Sequence, residues 1–230
     1  MNFDYTFITV RGFILFEPMV IVTNLILFAC AIYYFRQLWN FNHRYSRQKA
    51  LFILMIGISG IFGSIAHAVH FQLGDAFFNT VLFLMNGLSL VSILFCFSGA
   101  YYYLTKEKGA KKWVNVVVWL WLITLLIITF QQNKFLLVKI HAGIVLVFSL
   151  IVYSLYDTRN DPGSKYIVSG ILVAFLSIVT HSLKINIHEW FNYKDISHVI
   201  MIVSLYLIYK GVVLNSESLL ARKPVPVVSQ

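Results

Sequence analysis

Leu51–Phe71 reads LFILMIGISGIFGSIAHAVHF, twenty-one residues without an Asp, Glu, Lys or Arg. A helix needs ~20 mostly apolar residues to cross the hydrocarbon core of a bilayer, and this stretch meets that length. Wound as a helix, it places Gly60, Ser64 and His67 on one face at steps of four and three, with His70 one turn further. Small and polar residues at that spacing mark the inward face of a membrane helix. The composition agrees: 59% of the 230 residues are hydrophobic and 12% are charged, where soluble domains run near a quarter charged.

Working outward, six more apolar runs flank this one. The seven are Phe13–Phe35, Leu51–Phe71, Phe77–Tyr103, Trp113–Phe130, Phe135–Tyr156, Tyr166–Leu183 and Ile196–Leu214. The runs are too continuous for a β-barrel, whose signal is alternation in ~10-residue segments. The expected fold is an all-α integral membrane protein, a seven-transmembrane helix bundle occupying residues 1–214 as a single domain, with residues 215–230 a mobile cytoplasmic tail. Met1–Gly12 reads as interfacial, and Arg36–Ala50 as the longest loop. The first run lacks a small-residue cleavage site and is read as a retained helix. Cys30 and Cys96 lie inside runs and make no disulfide framework.

Seven crossings put the termini on opposite sides. The C-terminal side carries thirteen of the eighteen lysines and arginines, the N-terminal side five. The positive-inside rule places the richer side in the cytoplasm and the N-terminus outside. The net charge of +9 is then an orientation and lipid-surface signal, not a nucleic-acid footprint. Six of the seven histidines, His67, His70, His141, His181, His188 and His198, fall at the outer ends of the runs. Ionisable groups at membrane depth are costly, and they mark functional sites by default.

Three stripes converge on that end. Beside Gly60–Ser64–His67 run Gly170–Ala174–Ser177–His181 in the sixth run and Asp75–Asn79–Asn86 in the third. Asp195 and His198 share a face where the seventh run begins, so the carboxylate either orients the imidazole or ligates beside it. His67, His181 and His198 are the main candidates for a metal, with His70, His141 and His188 ranked below them. His188 reads as a solvated loop residue and His141 equally as a packing residue. Asn24, without an aligned partner, reads as a structural hydrogen bond.

Imidazoles and carboxylates from different helices suit zinc with an open position, which generates hydroxide from bound water near neutral pH. Ser64, Asp75 and Asp195 are the candidate catalytic groups around such a site. At head-group depth the natural substrate is an amide or ester of a lipid of the surrounding bilayer. Paired histidines also ligate b-type haem, with His67 and His181 the candidate pair, which makes a membrane electron carrier the alternative. A non-enzymatic metal-binding or pH-responsive sensor is a third reading.

Seven spans, the Ser64/His67 pair, Asp75 at the start of the third run and His198 at the start of the seventh resemble the superfamily of alkaline ceramidases, adiponectin-receptor-like and hemolysin III-like proteins. That resemblance implies a seven-helix zinc protein hydrolysing a lipid amide. His67, His198 and one of His181 or Asp195 would hold zinc, Asp75 or Asn79 would stand for the family acid, and Ser64 for its serine. Two spacings depart from the family pattern: Ser64 precedes His67 by three residues rather than four, and His198 lacks a second histidine four residues away.

Overall fold

The computed structural model describes residues 6–105, 112–157 and 161–221, leaving aside the side chains at positions 70, 71, 73, 112 and 115. Strands β1 (Phe7–Val10) and β2 (Phe13–Phe16) form an antiparallel hairpin with Phe7 opposite Phe16. Arg11 and Gly12 link them with φ of 51° and 82°, the left-handed pair that matches the twist of a two-residue hairpin. The Gln72 side chain donates to the Ile14 carbonyl and ties the hairpin to the helices.

Seven helices follow among the described residues: α1 (Pro18–Trp39), α2 (Arg44–Val69), α3 (Gly74–Thr105), α4 (Lys112–Gln132), α5 (Phe135–Asp157), α6 (Ser164–Leu183) and α7 (Tyr193–Ala221). All except α4 are long and apolar enough to cross a membrane; the described apolar part of α4, Val116–Gln132, is shorter. The chain is an all-helical, multi-pass membrane protein. Helical structure runs on from α2 into α3, broken only at Gly74, whose φ of 75° and ψ of 171° are non-helical. A Cβ at that position would meet open space, so the backbone angle, not crowding, requires glycine.

α7 packs on α6 and α1, α5 joins α6 to the α2–α3 helix, and α4 lies against the α2–α3 helix. The α6–α7 contact is close because small residues line it. A Cβ on Gly170 would come within 2.7 Å of Ile208 and 3.0 Å of the Ser204 carbonyl, and one on Gly211 within 2.5 Å of the Gly163 carbonyl. Ser204 Oγ donates across to the Gly170 carbonyl at 2.8 Å.

Several boundaries differ from the sequence reading. The first apolar run begins in a strand, because Glu17 is left-handed and Pro18 starts the helix at its favoured first position. Met1–Tyr5 of the expected interfacial segment lies outside the described residues. Most of the expected Arg36–Ala50 loop is helix, leaving a turn at 40–43. Lys49, read as a loop base, is therefore fully buried; its Nζ donates to the Cys96 carbonyl at 3.0 Å and lies 5.3 Å from the centre of the Tyr153 ring. The expected mobile tail from Asn215 instead continues α7 to Ala221, since Asn215 and Ser216 are buried and Asn215 packs against Gly163. Residues 222–230 lie outside the described residues.

Gly211→Ala is expected to lower stability by about 1–3 kcal/mol, the usual cost of forcing an extra carbon into a packed contact. Thermal unfolding in detergent measures it, and an unchanged midpoint would refute the close α6–α7 contact.

Candidate functional site

Six of the helices, all but α4, line a partly open cavity of about 520 Å³. That size lies within the range of ligand pockets. Its body is apolar, walled by residues such as Leu27, Ile56, Ile93, Val145, Met201 and Leu205. One end is polar, carrying His67, Lys139, His181, Tyr193, Lys194 and His198.

That polar end is organised around Glu17. The residue is 5% exposed and left-handed, at φ 48° and ψ 57°. This conformation is costly for a residue other than glycine, and such strain persists only where the surroundings impose it. Here Glu17 N donates to the Thr6 carbonyl at 2.8 Å. Lys194 Nζ donates to both Glu17 carboxylate oxygens at 2.6 Å. His67 Nδ1 lies 2.9 Å from Glu17 Oε2 and 3.4 Å from Lys194 Nζ, and Asn192 Nδ2 donates to Glu17 Oε1 at 3.3 Å. One carboxylate thereby joins α1, α2 and α7. Burial works against its charge, but the hydrogen bond and charge of His67 and the ammonium of Lys194 outweigh burial and hold the carboxyl at about 2.

A second polar group lies beside it. Asn192 and Asp195 form a reciprocal cap on α7: Asn192 N donates to Asp195 Oδ2 at 2.9 Å, and Lys194 N donates to Asn192 Oδ1 at 2.9 Å. Thr23 Oγ1 stands 3.4 Å from Asp195 Oδ1 and 3.0 Å from His198 Nδ1. Asp195 thus reaches His198 only through Thr23, and its first role is to cap the helix. The His181 ring packs on Phe135 at 5.4 Å and edge-on to Tyr193 at 5.1 Å, and its buried Nδ1 has no hydrogen-bond partner among the described residues.

The structure therefore brings His67, His181 and His198 to one cavity, with Asp195 adjacent. It does not bring the others. Asp75 and Asn79 are exposed near the start of α3 and do not line the cavity. The Asn79 carbonyl and Asn86 instead brace the α4–α5 turn through Asn133. Ser64 is buried but is not among the residues lining the cavity, and its hydroxyl has no partner among the described residues. His141 accepts from Trp121 Nε1 at 3.3 Å and is a packing contact between α5 and α4. His188 is exposed in a turn closed by Phe191. The side chain of His70 lies outside the described residues.

The donor set suits zinc in one respect. Glu17 and Thr23 engage Nδ1 of His67 and His198, as outer partners of metal-bound histidines do. It fails in two others. Among the described residues no three His, Cys, Asp or Glu side chains come together to hold a metal ion. The Lys194 ammonium, 3.4 Å from His67 Nδ1, also adds a positive charge beside an imidazole that a dication would need. As arranged, these residues do not form a zinc site.

The sequence reading missed Glu17, Lys194 and Thr23. Glu17 was visible as an acid directly before the first helix, and Lys194 as a base beside Asp195; their pairing across 177 positions was not. It also misread Asn24. This amide is 2% exposed and lines the cavity, and its Oδ1 has no partner.

Glu17→Gln leaves the Lys194 charge buried without a counter-charge and is expected to cost about 3–5 kcal/mol. The pH dependence carries a defined sign. A carboxyl held at about 2 against an ordinary 4.5 contributes its full stability above pH ~4.5 and loses it as pH falls toward 2. The wild-type advantage over Glu17→Gln in unfolding midpoint should shrink over that window; an advantage that does not depend on pH there would refute the ion pair.

No curated protein and no solved structure matches the chain. Over residues 19–216, from the first helix into the last, it matches the model of a family of unknown function, DUF6962, and the chain belongs to that family.

Proposed function

We propose that this protein is an intramembrane binding protein for a single-chain amphiphile, held with its tail in the cavity and its head at the polar end. The carrying observation is the 520 Å³ largely apolar cavity walled by six helices, with its lysines and histidines gathered at one end. All seven helices cross the membrane in this reading. The excess of basic residues on the C-terminal side then directs the polar end outward, to head-group depth.

The charges favour an anionic head. Lys194 is neutralised by Glu17. Lys139 lines the same end, and among the described residues its ammonium is offered only Ser182 Oγ, at 3.5 Å, and the Phe135 ring. A half-buried cation beside half-buried imidazoles draws a carboxylate or phosphate.

Lipid-amide hydrolysis, implied by the family resemblance, is a second reading. It is favoured by one observation: His67, His181 and His198 line the same cavity. It requires a metal ion bound close to the Lys194 ammonium, whose charge opposes it.

Purified protein in nanodiscs, assayed by mass spectrometry for retained amphiphile and by elemental analysis for metal, separates the two. Retained single-chain anionic lipid without zinc is expected. Filling the cavity with Ala142→Trp should weaken amphiphile binding roughly tenfold or more. Undiminished binding in that variant would overturn the cavity reading, and stoichiometric zinc would favour the hydrolase.

A further inference from the structure

We infer that Asn24 is a polar subsite inside the cavity, and that the ligand carries, partway along its chain, an uncharged group that accepts a hydrogen bond. This rests on the cavity being a ligand site. Asn24 is 2% exposed, lines the cavity, and its side-chain Oδ1 has no hydrogen-bond partner among the described residues. An amide in a membrane interior has no bulk water to fall back on, so leaving it unpaired is unfavourable. A side chain kept for packing alone would be leucine or methionine.

The neighbouring helix leaves room for this amide. A Cβ on Gly60 would come within 2.7 Å of Asn24 Oδ1. The next residue along, Ser59, lines the cavity too and accepts a hydrogen bond from Ser89 Oγ at 3.0 Å. A second polar level is thus built into an otherwise apolar wall. On α1 it lies one residue beyond Thr23 and seven beyond Glu17, about 10 Å along the helix from the charged mouth at 1.5 Å per residue.

That depth constrains the ligand. A plain hydrocarbon tail passing Asn24 would strip its surroundings of water and offer nothing in return. The cavity residues beside Asn24 on α1 and α2, Leu27, Ser59 and Gly60, are neutral, so a charged group would find no counter-ion among them. A hydroxyl suits the amide by accepting from Nδ2, while Oδ1 faces Gly60.

The test compares stearate with 10-hydroxystearate binding to the full chain in nanodiscs. Wild type is expected to prefer the hydroxylated probe roughly tenfold, the worth of one or two net hydrogen bonds. Asn24→Leu should reduce that preference to about twofold or less, with an unfolding midpoint at or above that of wild type because an unpaired amide has been removed. Gly60→Ala, which keeps the amide but crowds its oxygen, should also lower the preference.

No preference in wild type would overturn the subsite and leave the amide to water in the cavity. A preference that survives Asn24→Leu, or a marked loss of stability in that variant, would equally overturn it. Failure of wild type to bind either probe would remove the cavity reading itself, and the subsite with it.

Discussion

A carboxylate clamped between an ammonium and an imidazole holds the polar end of this bundle together. Glu17, at the junction of hairpin and α1, meets Lys194 of α7 at 2.6 Å and His67 of α2 at 2.9 Å. Burying either charge alone would be costly, and together they offset that cost through close contact and added hydrogen bonds. The clamp fixes three helices at one level. The left-handed backbone at Glu17 and the Asn192–Asp195 cap on α7 both serve to aim its members.

Below that level the helices do not close on one another. α6 and α7 approach tightly through Gly163, Gly170 and Gly211, while the opposing walls of α2, α3 and α5 stand back to leave the cavity. Its one-ended polarity follows from sequence. The charged residues cluster at helix ends, and the helix interiors supply leucine, isoleucine, valine and small hydroxyl residues. Toward the other membrane face lies an aromatic layer in which Tyr103 donates to Asp161 at 2.6 Å and Lys49 lies across the Tyr153 ring.

The helices were legible because a bilayer demands long apolar runs, and each of the seven runs contains most of one helix. Their ends were not legible in the same way: α2 gains a full amphipathic turn from Arg44 and α7 extends past Leu214, where polar residues are buried by packing rather than exposed. Stripe reasoning placed His67, His181 and His198 at one cavity, since residues on one helix face follow from spacing. It failed for Asp75, which shares a stripe with Asn86 but sits at the exposed start of α3 beside the Gly74 break. It had no means of finding Glu17 with Lys194, because contact between positions 17 and 194 depends on which helices become neighbours.

A double-mutant cycle on the clamp tests the central claim most directly. Unfolding free energies in detergent would be measured for wild type, Glu17→Gln, Lys194→Met and the double variant. If the pair joins α1 to α7 in a buried setting, the double variant should be more stable than Glu17→Gln alone, with a coupling energy of about 2–5 kcal/mol. Additive losses, with the double variant weaker than either single one, would contradict it.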